Sequence, residues 1–315
     1  MQKKSEPPAM FSPWPSYTNE EIHAVSSILQ SNNVNYWTGV ECREFEKEFS
    51  EWINVKYSIS LANGTIALDL ALRSLNIGSL DLNDEKPEVI VTSRTFIASA
   101  SAIVNVGAVP VFVDVNLDDY GIDVEQMENA WSPKLKAVML AHTLGNPFNL
   151  EKVMEFVKKH NLWLIEDCCD ALGSTYGGRK VGTFGDIGTL SCYPAHHITM
   201  GEGGVVFTDD TKLKRIIESF RDWGRDCFCD PGKDNTCGKR FDRQIGSLPK
   251  GYDHKYTYSH VGFNLKITDM QAAVGLAQLD HLEPFIEKRK QNFRLLKDFL
   301  SPLKDIFQLP QATPE

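Results

Sequence analysis

The sequence predicts an α/β fold: a mostly parallel sheet of seven strands sandwiched by helices. Three observations carry this. Short apolar runs rich in β-branched residues recur from about residue 55 to 208. Segments with helical spacing separate them, and such alternation implies parallel strands joined by helical crossovers. At 315 residues the chain can bury a large core and hold one big domain plus part of a second.

The candidate strands, in order, are 57–62 (YSISLA), 88–92 (EVIVT), 109–114 (VPVFVD), 137–142 (AVMLAH), 162–166 (LWLIE), 187–192 (IGTLSC) and 204–208 (GVVFT). Helical spacing marks 65–76, 97–106, 122–131 and 150–160 between them. Segment 210–222 reads as a further helix. Residues 223–262 are irregular, with Gly, Pro, Cys and aromatics, and one long helical pattern runs from about Thr268 to Phe299. No internal repeat or low-complexity tract interrupts this order. Sheets of this kind bind ligands beyond the carboxyl ends of their strands, and the chemically interesting residues fall there.

Composition narrows the function. Hydrophobic residues make up 42% and charged residues 24%, ordinary for a soluble globular protein. A net charge of −9 argues against nucleic acid as a partner, because phosphate backbones need a basic face. No apolar run approaches the roughly 20 residues of a membrane span. The first eight residues, MQKKSEPP, hold no apolar segment like that of a signal peptide, so a cytoplasmic location is expected. Seven cysteines, an odd count, are poor evidence for disulfides in such a chain.

Four groups of residues carry candidate chemistry. Asn63-Gly64-Thr65 joins a strand to a helix, where free N–H groups and a hydroxyl make an anion site; an ordinary N-cap is the plainer account. Asp167 ends the apolar run LWLIE, and a carboxylate at a buried strand end needs a partner, whether a cationic ligand or a structural ion pair. The segment Ser191 to Gly204, SCYPAHHITMGEGG, holds His196, an imidazole able to move protons. His197 beside it reads as structural or solvent-facing. Finally, Cys169, Cys227, Cys229 and Cys237 form C-x57-C-x-C-x7-C, a set that suits an iron–sulfur cluster, a zinc ion or unbound thiols.

Taken together these segments resemble the DegT/DnrJ/EryC1/StrS sugar aminotransferases, of fold-type I among pyridoxal-phosphate enzymes. The resemblance is close from about Val113 onward, through LWLIEDCCDALGSTY, YPAHHITMGEGG, SFRDWGRDC and GYDHKYTYSHVGFNLKITDMQAA. Residues 10–112 share only the general pattern. The resemblance implies that Gly64, Thr65 and Ser191 bind the cofactor phosphate. It implies too that Phe96 stacks on the cofactor ring, that Asp167 pairs with its pyridine nitrogen, and that Tyr193 assists proton transfer. Asn264 would reach across a homodimer to the neighbouring cofactor.

His196 stands where these enzymes carry the lysine that holds the cofactor covalently, and Asp170 where they often carry His or Gln. Lys180, Lys250, Lys255 and Lys266 do not replace that lysine at a matching site. Both departures point from amino transfer toward dehydration, with untethered pyridoxamine phosphate. The expected substrate is a nucleotide-linked 4-keto-6-deoxyhexose that loses its C3 hydroxyl on the route to 3,6-dideoxy sugars of lipopolysaccharide O-antigen. Within this resemblance the four cysteines become ligands of a 2Fe–2S cluster, fed by an NADH-dependent flavin and iron–sulfur reductase.

Two alternatives stay open. One is a cluster-free 3-dehydratase of a GDP-linked sugar; the other is a zinc-stabilised, non-catalytic binding protein on the same scaffold. The expected organisation is an N-terminal arm over 1–20 and a large cofactor domain over 21–265 that includes the cysteine loop 223–262. Residues 266–315 would form an interdomain helix and the start of a small C-terminal domain, expected to be largely absent.

Overall fold

The computed structural model describes residues 14–78, 85–229 and 233–313. The strands are β1 (Tyr57–Leu61), β2 (Glu88–Thr92), β3 (Val109–Val113), β4 (Leu135–Ala141), β5 (Trp163–Asp167), β6 (Thr175–Tyr176), β7 (Arg179–Lys180), β8 (Ile187–Ser191) and β9 (Gly204–Thr208). The helices are α1 (Asn19–Ser31), α2 (Glu41–Ile53), α3 (Gly64–Ser74), α4 (Ile97–Asn105), α5 (Val124–Met127), α6 (Leu150–His160), α7 (Thr211–Arg221), α8 (Asp269–Asp280) and α9 (Leu282–Leu300).

Seven strands form one sheet in the order β1-β9-β8-β5-β4-β2-β3, and β6-β7 is a separate small hairpin. From β8 to β3 every neighbouring pair is parallel. Only β9 runs against its neighbours β1 and β8. The expectation of a mostly parallel seven-stranded sheet is met, and each expected strand is present.

Side chains alternate across the sheet, as period two requires. Leu164 and Leu190 join the core that contains Phe45, Phe49 and Phe156. Ile165 and Ile187 join the opposite core, with Leu68, Leu72 and Ile103 of α3 and α4. This alternation sets the fate of the two carboxylates ending β5. Glu166 faces one way and Asp167 the other.

Three expectations change. The long helix over 268–299 is two helices, because His281, at φ −98° and ψ 0°, leaves α-helical geometry between α8 and α9. The apolar pattern continues through the break, so periodicity cannot reveal it. The helix over 122–131 shrinks to α5 plus a 3-10 turn at Glu128–Ala130. Helices α1 and α2, which the strand-centred pattern left unassigned, pack on α8. The expected arm falls largely outside the described residues, and α1 begins within its last two positions.

Candidate functional site

The end of β1 turns through Asn63 into α3. Asn63 Oδ1 accepts the Ile66 N–H at 3.0 Å, which caps the helix and leaves the earlier first-turn N–H groups free to meet an anion. Gly64 sits against the end of β8: a Cβ there would lie 2.5 Å from Ser191 Cβ. Only glycine permits this approach, and it brings the helix N-terminus and the Ser191 hydroxyl together. Thr65, next along, is exposed. The turn therefore holds both features, the cap and a cradle suited to a phosphate.

Asp167 pairs with Thr189 across β5 and β8, with Ser191 two residues farther on the same face. The Asp167 carboxylate is buried and accepts the Cys169 N–H at 3.0 Å. Burial pushes it above the ordinary carboxylate range. A cationic N–H donor would answer that cost, and a protonated pyridine is one.

Glu166, on the other face, is fully buried yet well supplied. It receives N–H groups from Gly182 at 2.8 Å, Phe184 at 2.8 Å and Gly185 at 2.6 Å, and lies 3.0 Å from His142 Nε2. Burial alone would lift its pKa, but His142 and these donors outweigh that and hold it below the usual value. His142 stacks on Phe148 at 4.3 Å, and its backbone N–H donates to Asp167 O at 3.1 Å. Sequence reasoning missed this pair. A lone histidine after an apolar strand carries no signal, although alternation could have sent Glu166 away from the Asp167 face.

After β8 the chain makes a compact turn. Tyr193 N–H donates to Ser191 Oγ at 3.2 Å, and His196 N–H donates to Tyr193 O at 2.9 Å. His196 Nδ1 lies 3.2 Å from Asp170 Oδ1, near enough for an ion pair though off-axis for a hydrogen bond. The His196 imidazole beside it holds the Asp170 carboxyl below its ordinary range. Both residues line a cavity of about 680 Å³ whose far wall is α9, with Arg289 and Phe293. Burial pushes His197 down to about 4, which fits its expected structural role. Tyr193 is half exposed and Phe96 is 75% exposed at the start of α4, so neither ring is spent on core packing.

The structure thus joins Gly64 to Ser191 and His196 to Asp170, on the strand ends that carry Asp167. Asn264 follows α7 in the chain, and its neighbour Leu265 accepts the Ala62 N–H at 2.9 Å, beside the Asn63-Gly64 turn. Asn264 itself bridges to Asp222, and its Oδ1 accepts from Lys266 Nζ at 2.7 Å.

The cysteines divide. Among the described residues the group able to hold a metal is Cys227, Cys229 and His254, with ligand atoms within 4.8 Å of one another. Cys237 Sγ lies 3.3 Å from His254 Nε2. Cys169 does not belong to this group. It sits in the turn after β5, beside Asp167 and Cys168, where burial raises its thiol pKa well above normal. Burial also raises the Cys227 thiol. At Cys229 burial is opposed by hydrogen bonds from Cys237 and Thr236, and the thiol falls below its usual value. The geometry thus groups Cys227 and Cys229 with His254, and Cys237 stands beside that imidazole.

The DegT/DnrJ/EryC1/StrS aminotransferase family matches residues 15–314, so the chain belongs to it. Its fold is that of fold-type I pyridoxal-phosphate transferases. The lipopolysaccharide biosynthesis protein RfbH of Salmonella typhimurium is 58% identical over 85% of this chain. A dTDP-4-dehydro-2,6-dideoxy-D-glucose 3-dehydratase of Saccharopolyspora spinosa is 50% identical over 94%. The chain spans 62% of the first relative's length and 64% of the second's. A solved GDP-4-keto-6-deoxymannose-3-dehydratase, with GDP-perosamine bound, superposes with a TM-score of 0.80 at 25% identity, covering 96% of this chain and 77% of that one.

Proposed function

We propose that this member of the DegT/DnrJ/EryC1/StrS family is a pyridoxamine-phosphate-dependent 3-dehydrase acting on a nucleotide-linked 4-keto-6-deoxyhexose. Its substrate in this reading is CDP-4-keto-6-deoxy-D-glucose, which makes it a CDP-4-keto-6-deoxyglucose 3-dehydrase of lipopolysaccharide O-antigen synthesis. One observation carries the proposal: an imidazole, held against Asp170 at a cavity wall, stands where amino transfer needs a lysine. The 3-dehydratase names among the similar proteins support it.

The residues fit the cofactor. The N–H groups at the start of α3, the Thr65 hydroxyl and Ser191 would hold its phosphate in the space that Gly64 keeps open. Phe96 would stack on its ring, and the Asp167 carboxylate would keep the ring nitrogen protonated. When bound, the cofactor supplies an electron-withdrawing ring that makes the neighbouring C–H bond acidic. The negative charge of Asp170 favours the proton on His196 Nδ1, leaving Nε2 free as the base. His196 takes a proton there and can return it to the departing C3 hydroxyl, which leaves as water. Tyr193, half exposed on the same turn, is placed to assist.

Deoxygenation also needs two electrons from outside this chain, in this reading from a separate NADH-dependent flavin and iron–sulfur reductase. Cys227, Cys229 and Cys237, with Cys169, would hold the 2Fe–2S cluster that suits one-electron transfer. His254, standing with Cys227 and Cys229 where the expected set holds thiols alone, favours a second reading, a cluster-free dehydratase that yields a 3-deoxy ketosugar with loss of ammonia. A homodimer sharing its active sites through Asn264 belongs to both.

The test is direct. The protein should bind pyridoxamine phosphate without covalent attachment, measured by equilibrium dialysis. His196→Lys should instead become covalently loaded with pyridoxal phosphate, seen as a mass gain after borohydride reduction. His196→Asn should lower C3 deoxygenation by about 10²–10⁴-fold. A folded His196→Lys protein with no mass gain, together with no pyridoxamine phosphate binding by the wild type, would overturn the proposal. Iron and acid-labile sulfide after anaerobic purification separate the two readings.

A further inference from the structure

The cavity that carries His196 also holds a backbone outlier that none of the chemistry above uses. Leu144, in the turn after β4, sits at φ 56° and ψ 24°. That left-handed conformation crowds Cβ against the following carbonyl, and a bulky residue seldom adopts it. Leu144 gains no burial in exchange. Its side chain is 68% exposed and lines the cavity. Strain and exposure are both unfavourable, so core packing does not explain a leucine here.

The turn is fixed on both sides of this residue. Before it, His142 N–H donates to Asp167 O at 3.1 Å, and Gly145 N–H donates back to His142 O at 3.1 Å. After it, Asn146 N–H donates to Thr143 O at 3.0 Å, and Ser174 Oγ donates to Gly145 O at 2.7 Å. Asn146 Nδ2 ties the exit to Asp119 O at 3.0 Å. Gly145 presses on the segment after β5, where a Cβ would lie 3.0 Å from Asp170 O. Leu144 is therefore held one residue from a contact with Asp170, the partner of His196. A strained residue that its neighbours over-determine is the kind found at ligand sites.

Among the described residues that line the cavity, Leu172 and Ile286 are buried, and Phe293 belongs to α9 on the far wall. Leu144 is the large apolar side chain left bare on the wall of Asp170. We propose that Leu144 meets the C6 methyl of the sugar and so selects a 6-deoxyhexose over the same hexose with a C6 hydroxyl. This inference rests on the dehydrase reading above. In a 4-keto-6-deoxyhexose, C6 is two bonds from the ketone carbon C4, which must come within reach of the cofactor and the base. The wall that faces C6 therefore belongs to the cavity that holds His196. C3, whose hydroxyl leaves, flanks C4 on the other side, so the base and the methyl contact act on opposite neighbours of the ketone. A C6 hydroxyl against Leu144 would lose water and find no partner in that side chain, whereas a methyl gains by leaving water.

The test loads the full chain with pyridoxamine phosphate and titrates it by calorimetry with CDP-6-deoxy-D-glucose, CDP-D-glucose and CDP alone. The wild type should bind the 6-deoxy ligand about 10-fold or more tightly than its 6-hydroxyl counterpart, and Leu144→Asn should cut that ratio to about 2-fold or less. Affinity for CDP should stay the same in the variant. Its urea midpoint should be no lower than wild type, because Asn accepts the left-handed backbone more readily than Leu. Leu144→Met should restore the ratio, which ties the preference to an apolar contact rather than to the shape of the turn. Failure of the two readings looks different. If the wild type binds none of the three ligands, the CDP-sugar reading falls and this inference with it. The Leu144 assignment alone is overturned if the wild type binds both sugars equally, if the preference persists in Leu144→Asn, if that variant loses CDP affinity or stability along with the preference, or if Leu144→Met fails to restore it.

Discussion

The pocket around Asp167 and the loop around Cys227 are built from different materials. Paired strands and a helix end frame the pocket: Asp167 is fixed opposite Thr189, and Gly64 is pressed onto Ser191. Among the described residues the cysteine loop contains no strand longer than an isolated bridge, and its one helical turn is His254–Tyr256. Ion pairs hold it, Arg240 to Asp253 and Asp234, and Lys255 to Asp234. Backbone pairing shapes a site before any ligand arrives. The Arg240–Asp253 pair is part-buried and the pairs of Asp234 lie at the surface, where ion pairs contribute little, so the loop is held less firmly than the pocket. The two regions should therefore fail separately.

The sharpest break is expected behind the pocket. Glu166→Ala removes the carboxylate that gathers three N–H groups and His142 in a fully buried place. Loss of one partner from such a pair costs about 3–5 kcal/mol. Chemical denaturation should show a global shift of that size. Amide exchange over 233–256, measured below the unfolding transition, should be unchanged. A variant that melts like wild type would mean the pocket is not anchored from this face.

Gly64→Ala comes next. Its Cβ would stand 2.5 Å from Ser191 Cβ and force α3 away from β8. Overpacking of this kind costs about 1–3 kcal/mol, and affinity for pyridoxamine phosphate should fall along with stability. Retained cofactor affinity would separate the Gly64 contact from phosphate binding.

Much of this contrast was legible in the sequence, and unevenly. All seven sheet strands could be read because buried parallel strands are written as unbroken apolar runs, such as VIV before Thr92 and WLI before Glu166. Asp167, Ser191 and Gly64 could be placed because they stand at the ends of such runs. Glu166 and His142 could not, since their meaning depends on which sheet face each side chain takes. The break at His281 stayed hidden beneath a continuing apolar pattern. In the loop, spacing showed that cysteines gather but not which partner completes them. His254 is 17 residues from Cys237 and shares no motif with it.

Titration offers a subtler probe of the pocket. Burial raises the Asp167 pKa in the fold, while in the unfolded chain it sits near the ordinary value of about 3.9. Between those two values the native state keeps a proton that the unfolded state has lost. Stability of the cofactor-free protein should therefore fall as pH rises through that window and level off above it. Asp167→Asn should abolish this component, read as the difference between the two urea midpoints against pH. Saturating pyridoxamine phosphate should reduce it, because a ring nitrogen proton supplies the missing partner. A difference that does not vary with pH would mean that Asp167 carries no such penalty.

The smallest global effect is expected in the loop, and it tests the comparison most narrowly. Arg240→Ala removes the contacts to the part-buried Asp253 and the exposed Asp234. Neither core cluster draws a member from the loop, so the main unfolding transition should not move. The 3-10 turn that orients His254 should loosen all the same, because Asp253 loses its grip from outside. Amide exchange over 233–256 should accelerate while the strands keep their protection, the signature of local rather than global opening. If Arg240→Ala instead shifts the global transition, the loop is part of the core's cooperative unit, and the division between a pocket shaped by backbone and a loop held by side-chain pairs fails.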